Sequence, residues 1–210
     1  MSARTLIWPG CLVMMVACSG GSTGSPGGPG PVDSTAAQDS LHFLRPAIGA
    51  PPLADRTVSF WAVQSENREI RLMYQKQSGH ADSVEFARFR VDAGALVSDS
   101  EGNALAPRDS VLITLSVQDT LRLITEFHPT GLVFSSRKPA RLWLKFGEAD
   151  PDLNGDHVVN AADTVLLNQL TIWKQEHPGD PWSLVPSIIN GGSQEVEADI
   201  PGFTRFAVAY

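Results

Sequence analysis

Apolar and polar residues alternate with a period of two along much of the chain from residue 56 onward, and this pattern restricts the fold most strongly. In the run "SVLITLSVQ" at residues 110–118, the inward positions are apolar: Val111, Ile113, Leu115 and Val117. Successive side chains of a β-strand point to opposite faces of a sheet, so such a run predicts a strand with one buried face. Polar turns such as "SDSEGN", "HPTG" and "RKPA" separate the runs. The pattern predicts a mainly β protein, folded as an antiparallel β-sandwich.

Further strands are predicted at "TVSFWAV", "EIRLMYQ", "TLRLITEF", "ARLWLKF", "QEVEADI" and "FTRFAVAY". Their inward positions in the first four runs are apolar: Val58, Phe60, Ala62, Ile70, Leu72, Tyr74, Leu121, Leu123, Phe127, Leu142, Leu144 and Phe146. The polar "QSEN" predicts a hairpin between the first two runs. In "VEFARFRV" the apolar phase shifts, which predicts a β-bulge near Ala87–Arg88.

A single short helix is predicted at "NAADTVLLNQL", residues 160–170. Leu166, Leu170 and Trp173 have the i, i+4, i+7 spacing of one helical face. Asn160 suits the N-cap position, and the negative charge of Asp163 favours the positive end of a helix. The pattern fails at "LTIWKQE", so we expect the helix to give way to a strand near Leu170.

The stretch "DPDLNGDHVVNAAD", residues 150–163, places oxygen-bearing side chains on alternate positions ahead of that helix. Ca²⁺ takes six to eight oxygen ligands, and a loop that contributes positions 1, 3, 5, 7, 9 and 12 can surround one ion. That register selects the carbonyl group of Val158 and five side chains: Asp152, Asn154, Asp156, Asn160 and Asp163. The loop resembles the calcium loop of dockerins. His157 stands where glycine is usual, and Asp163 replaces the usual glutamate.

The simpler alternative is a polar turn in front of a well-capped helix. It accounts for Asn160 and Asp163 but leaves the alternation of Asp152, Asn154 and Asp156 unexplained. We therefore predict a calcium ion with a structural role. It would hold in place an insertion at residues 148–169.

The N-terminal segment has the features of a secretory signal. Arg4 precedes "LIWPGCLVMMVA" at residues 6–17, an apolar run shorter than the roughly 20 residues that span a bilayer. The following "MVAC" resembles the processing site of bacterial lipoproteins, which implies cleavage after residue 17 and acylation of Cys18. Two or three acyl chains would anchor the chain stably to a membrane. Ser19, in place of the aspartate that retains some lipoproteins in the inner membrane, favours the outer membrane of a bacterial envelope.

Residues 18–40 are predicted to be a disordered tether, because Gly, Ser, Thr and Pro dominate them. The folded domain is then residues 41–210. Since Cys11 would leave with the signal, Cys18 alone remains and no internal disulfide can form. The formal net charge is −7, and basic residues are scattered, which excludes nucleic acid as a partner. We expect a protein or glycan ligand besides the membrane.

From Phe86 onward, "FRVDAGALVSD", "TEFHPTGLVFSSRKPARLWLKF" and "FTRFAVAY" resemble the ZU-type β domain of zonula occludens proteins, netrin receptors and ankyrins. The resemblance implies a sandwich in which the middle stretch packs across both sheets. Some members of that family cut themselves at a His–Phe–Ser motif. The matching stretch here is "GFTRF", with Gly202 in place of the histidine, Phe203 matched, and Thr204 as the possible nucleophile.

No motif of a metalloprotease or a serine hydrolase occurs around the histidines: His42, His80, His128, His157 and His177. Glu195 and Glu197 share a strand face and are interpreted as solvated residues rather than an acid–base pair. The sequence thus predicts a non-catalytic envelope lipoprotein that binds a ligand or gives structural support. Self-cleavage between Phe203 and Thr204, or dockerin-like recruitment through residues 152–173, are the alternatives.

Overall fold

Two antiparallel β-sheets facing each other form the framework of the described part of the chain, as the alternating pattern predicts. In this computed structural model the described residues are 35–77 and 84–210. The predicted signal peptide, Cys18 and residues 19–34 of the predicted tether lie outside them. Within the described part of the chain, no helix is both long enough and apolar enough to cross a membrane.

The predicted strands and the predicted helix are present in the expected order, and five further strands were not predicted: Thr35–Ala36, Leu96–Ser98, Val133–Phe134, Trp182–Val185 and Ser187–Asn190. A 3-10 helix covers Gln38–Ser40, and an α-helix, α1, covers Ala161–Leu167. The strands are β1 (Thr35–Ala36), β2 (Thr57–Val63), β3 (Arg68–Met73), β4 (Glu85–Val91), β5 (Leu96–Ser98), β6 (Ser110–Asp119), β7 (Ile124–His128), β8 (Val133–Phe134), β9 (Ala140–Lys145), β10 (Thr171–Gln175), β11 (Trp182–Val185), β12 (Ser187–Asn190), β13 (Glu195–Ile200) and β14 (Arg205–Ala209).

The sheet order brings distant parts of the chain together. The larger sheet has seven strands in the order β1-β11-β10-β14-β7-β6-β2, and the facing sheet has five in the order β12-β13-β9-β4-β3. Strands β5 and β8 form a separate two-stranded sheet. The stretch from β7 to β9 starts in the seven-stranded sheet and ends in the five-stranded one, so it runs across the sandwich.

The core lies between the two sheets and is rich in aromatic rings. Phe89 from the five-stranded sheet packs edge-on against Phe127 from the other, with ring centroids 4.9 Å apart, and Phe203 stacks on Phe127 at 5.0 Å. The predicted inward positions are buried or partly buried, with one exception. Leu121 is 74% exposed, because the chain turns at residues 120–123 before β7 begins.

Two local predictions need correction. The predicted hairpin at "QSEN" is wrong, because β2 pairs with β6 and β3 pairs with β4, so this turn carries the chain from one sheet to the other. Both strands still bury their apolar faces in one core. The alternating pattern is therefore the same for a hairpin within one sheet and for a connection between the two sheets. The bulge in β4 exists but lies one residue earlier than predicted. Leu72 pairs with Ala87 and Met73 with Glu85, so Phe86 is the extra residue.

The first described residues form a strap, defined here as residues 35–47, that packs on the outside of the seven-stranded sheet. Strand β1 pairs with β11, and the backbone N–H of Leu44 donates to the carbonyl of Val208 at 3.0 Å. Beneath the strap lies a second apolar cluster that includes Trp173 and the fully buried Trp182. Residues 35–40, which the sequence assigns to the tether, therefore belong to the folded part. Apolar residues such as Phe43 bury against the sheet and hold the strap in place.

Candidate calcium-binding loop

The acidic loop, defined here as residues 150–163, follows β9 and ends at the first residues of α1. The strap fixes its beginning: the N–H of Ala47 donates to the carbonyl of Glu148 at 2.9 Å, and the N–H of Asp150 donates to the carbonyl of Arg45 at 2.8 Å. The insertion is therefore joined to a segment that lies about a hundred residues earlier in the chain. No local pattern in the sequence predicts this contact.

Asp152 organises the first half of the loop. One carboxylate oxygen accepts from the N–H groups of Gly155 at 2.9 Å and Asp156 at 3.2 Å, and the other accepts from the N–H of His157 at 2.8 Å. The backbone of His157 is left-handed, with φ of 66°. This is the conformation for which glycine is usual at that position, and histidine adopts it more readily than most residues.

The next two predicted ligands contact each other. The side-chain amide of Asn154 donates to one carboxylate oxygen of Asp156 at 2.9 Å, and its oxygen accepts from the N–H of Asp156 at 2.9 Å. The other oxygen of Asp156 accepts from the N–H of Val158 at 2.8 Å. The alternating polar side chains therefore hydrogen-bond to each other and to the backbone within one turn.

Asp163 joins both ends of the loop. Its carboxylate accepts from the N–H of Asn160 at 2.8 Å, and on the other side from the N–H groups of Leu153 at 2.8 Å and Asn154 at 3.2 Å. The hydrogen bond from Asn160 is the main cause that lowers its pKa, and the bonds from Asn154 and Leu153 act in the same direction against the effect of burial. The side chain is only 4% exposed, so a buried carboxylate stays ionised at this point.

The predicted cap of α1 is confirmed. Asn160 adopts an extended backbone, its side-chain oxygen accepts from the N–H of Ala162 at 2.7 Å, and with Asp163 it forms a reciprocal capping box. Its side-chain nitrogen donates to the carbonyl of Val158 at 2.9 Å. Asn160 and Asp163 thus cap α1, as the capped-helix alternative requires, and these contacts do not depend on a bound ion.

The C-terminal residue also contacts the loop. The hydroxyl of Tyr210 donates to the carbonyl of Leu153, and its ring stacks on His42 of the strap with centroids 5.2 Å apart. Burial raises the pKa of this phenol, and the charges of Asp163 and Asp152 raise it further, while Arg45 opposes them. The negative charge of the loop therefore acts on the residue that follows β14.

The donor set fits Ca²⁺ in its chemistry. All the predicted ligands are hard oxygens. One carboxylate oxygen of Asp152 and one of Asp163 each accept two backbone N–H groups, whereas the other oxygen of each accepts one and keeps a second lone pair. Residues 150–163 contain four aspartates and no lysine or arginine. As the side chains stand, no three His, Cys, Asp or Glu residues among those described are grouped closely enough to hold a metal. An ion here would depend on the asparagine and carbonyl oxygens as well.

A cleft of about 680 Å³ opens between the strap and the acidic loop. Its wall includes the side chains of His42, Arg45, Arg122, Asp152 and Tyr210. Sequence reasoning missed it, because its walls come from four separate segments and none carries a motif. Cationic and anionic groups face the same space, so the cleft offers polar recognition next to the loop.

The threonine of the self-cleavage alternative lies in the core. Thr204 is 3% exposed, and its hydroxyl donates to the carbonyl of Gln175. A carbonyl oxygen is not a base that can activate a hydroxyl nucleophile. A Cβ at Gly202 would stand 3.0 Å from the carbonyl oxygen of Leu132, so a histidine would crowd the backbone there. These contacts favour a structural role for Thr204.

The interpretation of Glu195 as a solvated residue is wrong. It is 7% exposed and lies 2.7 Å from the ammonium of Lys145 and 3.5 Å from the guanidinium of Arg88. The guanidinium of Arg88 in turn covers the ring of Trp143 at 4.3 Å from its centroid. Burial acts to raise the pKa of Glu195, but the neighbouring cations outweigh it and lower the pKa. Glu197 is the more exposed of the two, 4.0 Å from Arg141.

Among the described histidines, His42 and His157 line the same cleft, and the others lie elsewhere. His42 stacks on Tyr210, His157 belongs to the acidic loop, and His177 lies 3.0 Å from the carboxylate of Asp180 in an exposed turn. His128 ends β7, and its ring lies 3.7 Å from Glu126. His80 lies outside the described residues.

No protein-family model matches the chain, and comparisons with known proteins and with solved structures find no significant match. The resemblances to ZU-type domains and to dockerin loops therefore stay predictions from the sequence. The antiparallel β-sandwich with a short helix after the acidic loop is established by the fold itself.

Proposed function

We propose that this chain is an envelope lipoprotein whose β-sandwich is a non-catalytic binding or structural module, stabilised by one Ca²⁺ ion at the acidic loop. The observation that carries the proposal is the position of that loop. Its first residues pair with the strap, which leads toward the predicted anchor, and Leu153 contacts the C-terminal Tyr210. An ion bound there would fix the point where both ends of the domain meet.

The charge of the loop supports this role. Four aspartates are concentrated within residues 150–163, and Asp163 is held ionised although it is buried. Their mutual repulsion opposes the compact turn, and a divalent cation would remove it. Asp152, Asn154, Asp156, Val158, Asn160 and Asp163 would hold the ion through their oxygen atoms.

The proposal is tested by calorimetric titration with CaCl₂, using the chain from residue 19 onward, which retains the compact unit Asp33–Tyr210. Asp156→Asn keeps the size of the exposed Asp156 side chain and one oxygen that can accept from the N–H of Val158, but it removes the charge and the acceptor that faces the Asn154 amide. Asp99→Asn is the matched control, since Asp99 also accepts backbone N–H groups in an exposed turn, at 2.9 Å from Glu101 and 2.8 Å from Asn103.

We expect one saturable site in the unmodified chain and in Asp99→Asn, and its loss or strong weakening in Asp156→Asn. Absence of binding heat together with an unchanged melting temperature in calcium would contradict the proposal. It would leave residues 150–163 as a polar turn before a capped helix.

The anchor is tested separately in cells. Metabolic labelling with palmitate should mark the full-length chain, and Cys18→Ser should abolish the label and release the protein from the membrane fraction. Label retained by Cys18→Ser would contradict acylation at this cysteine.

A further inference from the structure

The strap crosses strand β10, from one neighbour of that strand to the other. At its first end Ala36 pairs with Trp182 of β11. At its far end the N–H of Leu44 donates to the carbonyl of Val208 in β14 at 3.0 Å. Strand β10 lies between β11 and β14 in the sheet order, so the middle of the strap passes over the outer face of β10.

The strap covers an apolar cluster that is separate from the core between the two sheets. Trp173 and Trp182 lie beneath it and are 8% and 0% exposed, and strap residues such as Phe43 complete the cluster. Of strap residues 35–47, all of which are described, only Leu44 is buried in the core between the sheets. The sandwich therefore keeps nearly all of its core contacts when the strap is lifted.

The two indole N–H groups beneath the strap favour its opening. Neither Trp173 nor Trp182 has a hydrogen-bond acceptor for its Nε1 among the described residues. A buried donor without an acceptor is destabilising, because it has lost its hydrogen bond to water and gained none in the protein. Lifting the strap returns both groups to water, which offsets part of the free energy needed to expose the apolar cluster.

We propose that the strap is a displaceable cover, which opens as one unit while the β-sandwich stays folded and so uncovers the tryptophan side chains on the outer face of β10 and β11. Proteins open locally in cooperative segments whose opening requires less free energy than global unfolding. The strap is such a segment, since it is short and closes a cluster of its own. Large exposed apolar faces are sites of association, so the strap controls whether this face is available. The proposal does not depend on a bound ion.

Hydrogen exchange measured by NMR on the chain from residue 19 tests this opening. The indole N–H of Trp182 and the backbone N–H of Leu44 report on the strap, and the backbone N–H of the fully buried Phe127 reports on the sandwich. We expect the two strap reporters to share one opening equilibrium and to be protected at least about tenfold less than Phe127. Phe43→Ala should raise the exchange rates of both strap reporters by about tenfold or more, and Ile48→Ala, just beyond the strap, should leave them nearly unchanged.

Ile113→Val separates opening of the strap from unfolding of the domain. Ile113 is fully buried in β6, away from the strap in the sheet order, so this variant should raise the exchange rate of Phe127 by about threefold to tenfold and leave Trp182 and Leu44 unchanged. An equal increase at all three groups would overturn the proposal, because the strap would then open only when the whole domain unfolds. Exchange of the Trp182 indole as fast as that of the exposed Trp61 would overturn it too, since the strap would not cover that ring.

Discussion

The hydroxyl of Tyr210, the last residue of the chain, donates a hydrogen bond to the backbone carbonyl of Leu153 in the acidic loop. The same residue exchanges backbone hydrogen bonds with His42, at 3.1 and 3.2 Å, and stacks on its ring. Three segments that are far apart in sequence, the strap, the loop and the residue after β14, therefore meet at one point. A change at any of them should affect the others.

Tyr210→Phe should lower the free energy of unfolding by about 1 kcal/mol, since it leaves the Leu153 carbonyl without this donor but keeps the aromatic ring on His42. Chemical denaturation measures the change. Tyr210→Ala, which also removes the ring, should cost more. Equal midpoints for the unmodified chain and Tyr210→Phe would show that the hydroxyl does not support the loop.

Phe43→Ala should weaken the strap. The Phe43 ring packs edge-on against Trp182 with centroids 5.1 Å apart, and its loss leaves a gap over the second apolar cluster. Because Phe43 is only partly buried, we expect a loss of about 2 kcal/mol, less than for a fully buried phenylalanine. Ile48→Ala just beyond the strap is the matched control; Ile48 is fully exposed and its removal should change stability by no more than about 0.5 kcal/mol. Similar losses for the two variants would contradict the packing of the strap.

The sandwich could be predicted from the sequence because a strand with one buried face has an apolar residue at every second position. Val111, Ile113 and Leu115 show this pattern. Helix α1 could be predicted because its cap depends on residues that are close in sequence. The capping box joins Asn160 and Asp163, which are three positions apart. The sequence did not show which strands pair. The turn after β2 looks the same whether it closes a hairpin or crosses between sheets.

The surroundings of the acidic loop could not be predicted for the same reason. Its internal hydrogen bonds follow from the spacing of Asp152, Asn154 and Asp156. Its contacts with Arg45 and Tyr210 depend on the whole fold. Likewise, strand alternation predicts Glu195 to be a surface residue. The pattern does not show that the long side chains of Arg88 in β4 and Lys145 in β9 lie over it.

Glu195 should make stability depend on pH in the acid range. Its pKa is lower in the folded protein than in the unfolded chain, so the stability it contributes is present above the ordinary glutamate pKa of about 4.3 and is lost as the pH falls through the lowered folded value. Glu195→Gln should reduce the free energy of unfolding at neutral pH by about 2 kcal/mol and flatten its decline toward acid pH. Denaturation at a series of pH values measures both effects.

Glu197→Gln is the control for this pH dependence, since Glu197 lies on the same strand face but is more exposed and 4.0 Å from its basic neighbour. In this variant the free energy of unfolding should decline toward acid pH nearly as it does in the unmodified chain. If Glu197→Gln reduced this decline as much as Glu195→Gln does, the buried ion pairs of Glu195 would not be the cause of the pH dependence.

The measurement that tests the calcium loop most directly is a spectrophotometric titration of Tyr210 with and without calcium. The chain has two tyrosines, and Tyr74→Phe leaves Tyr210 as the only phenol. The charges of Asp163 and Asp152 help to raise the pKa of Tyr210, so an ion that neutralises them should lower it. We predict a lower pKa in calcium, and no such shift in Asp156→Asn. A pKa that is the same with and without saturating calcium would contradict an ion bound at residues 152–163.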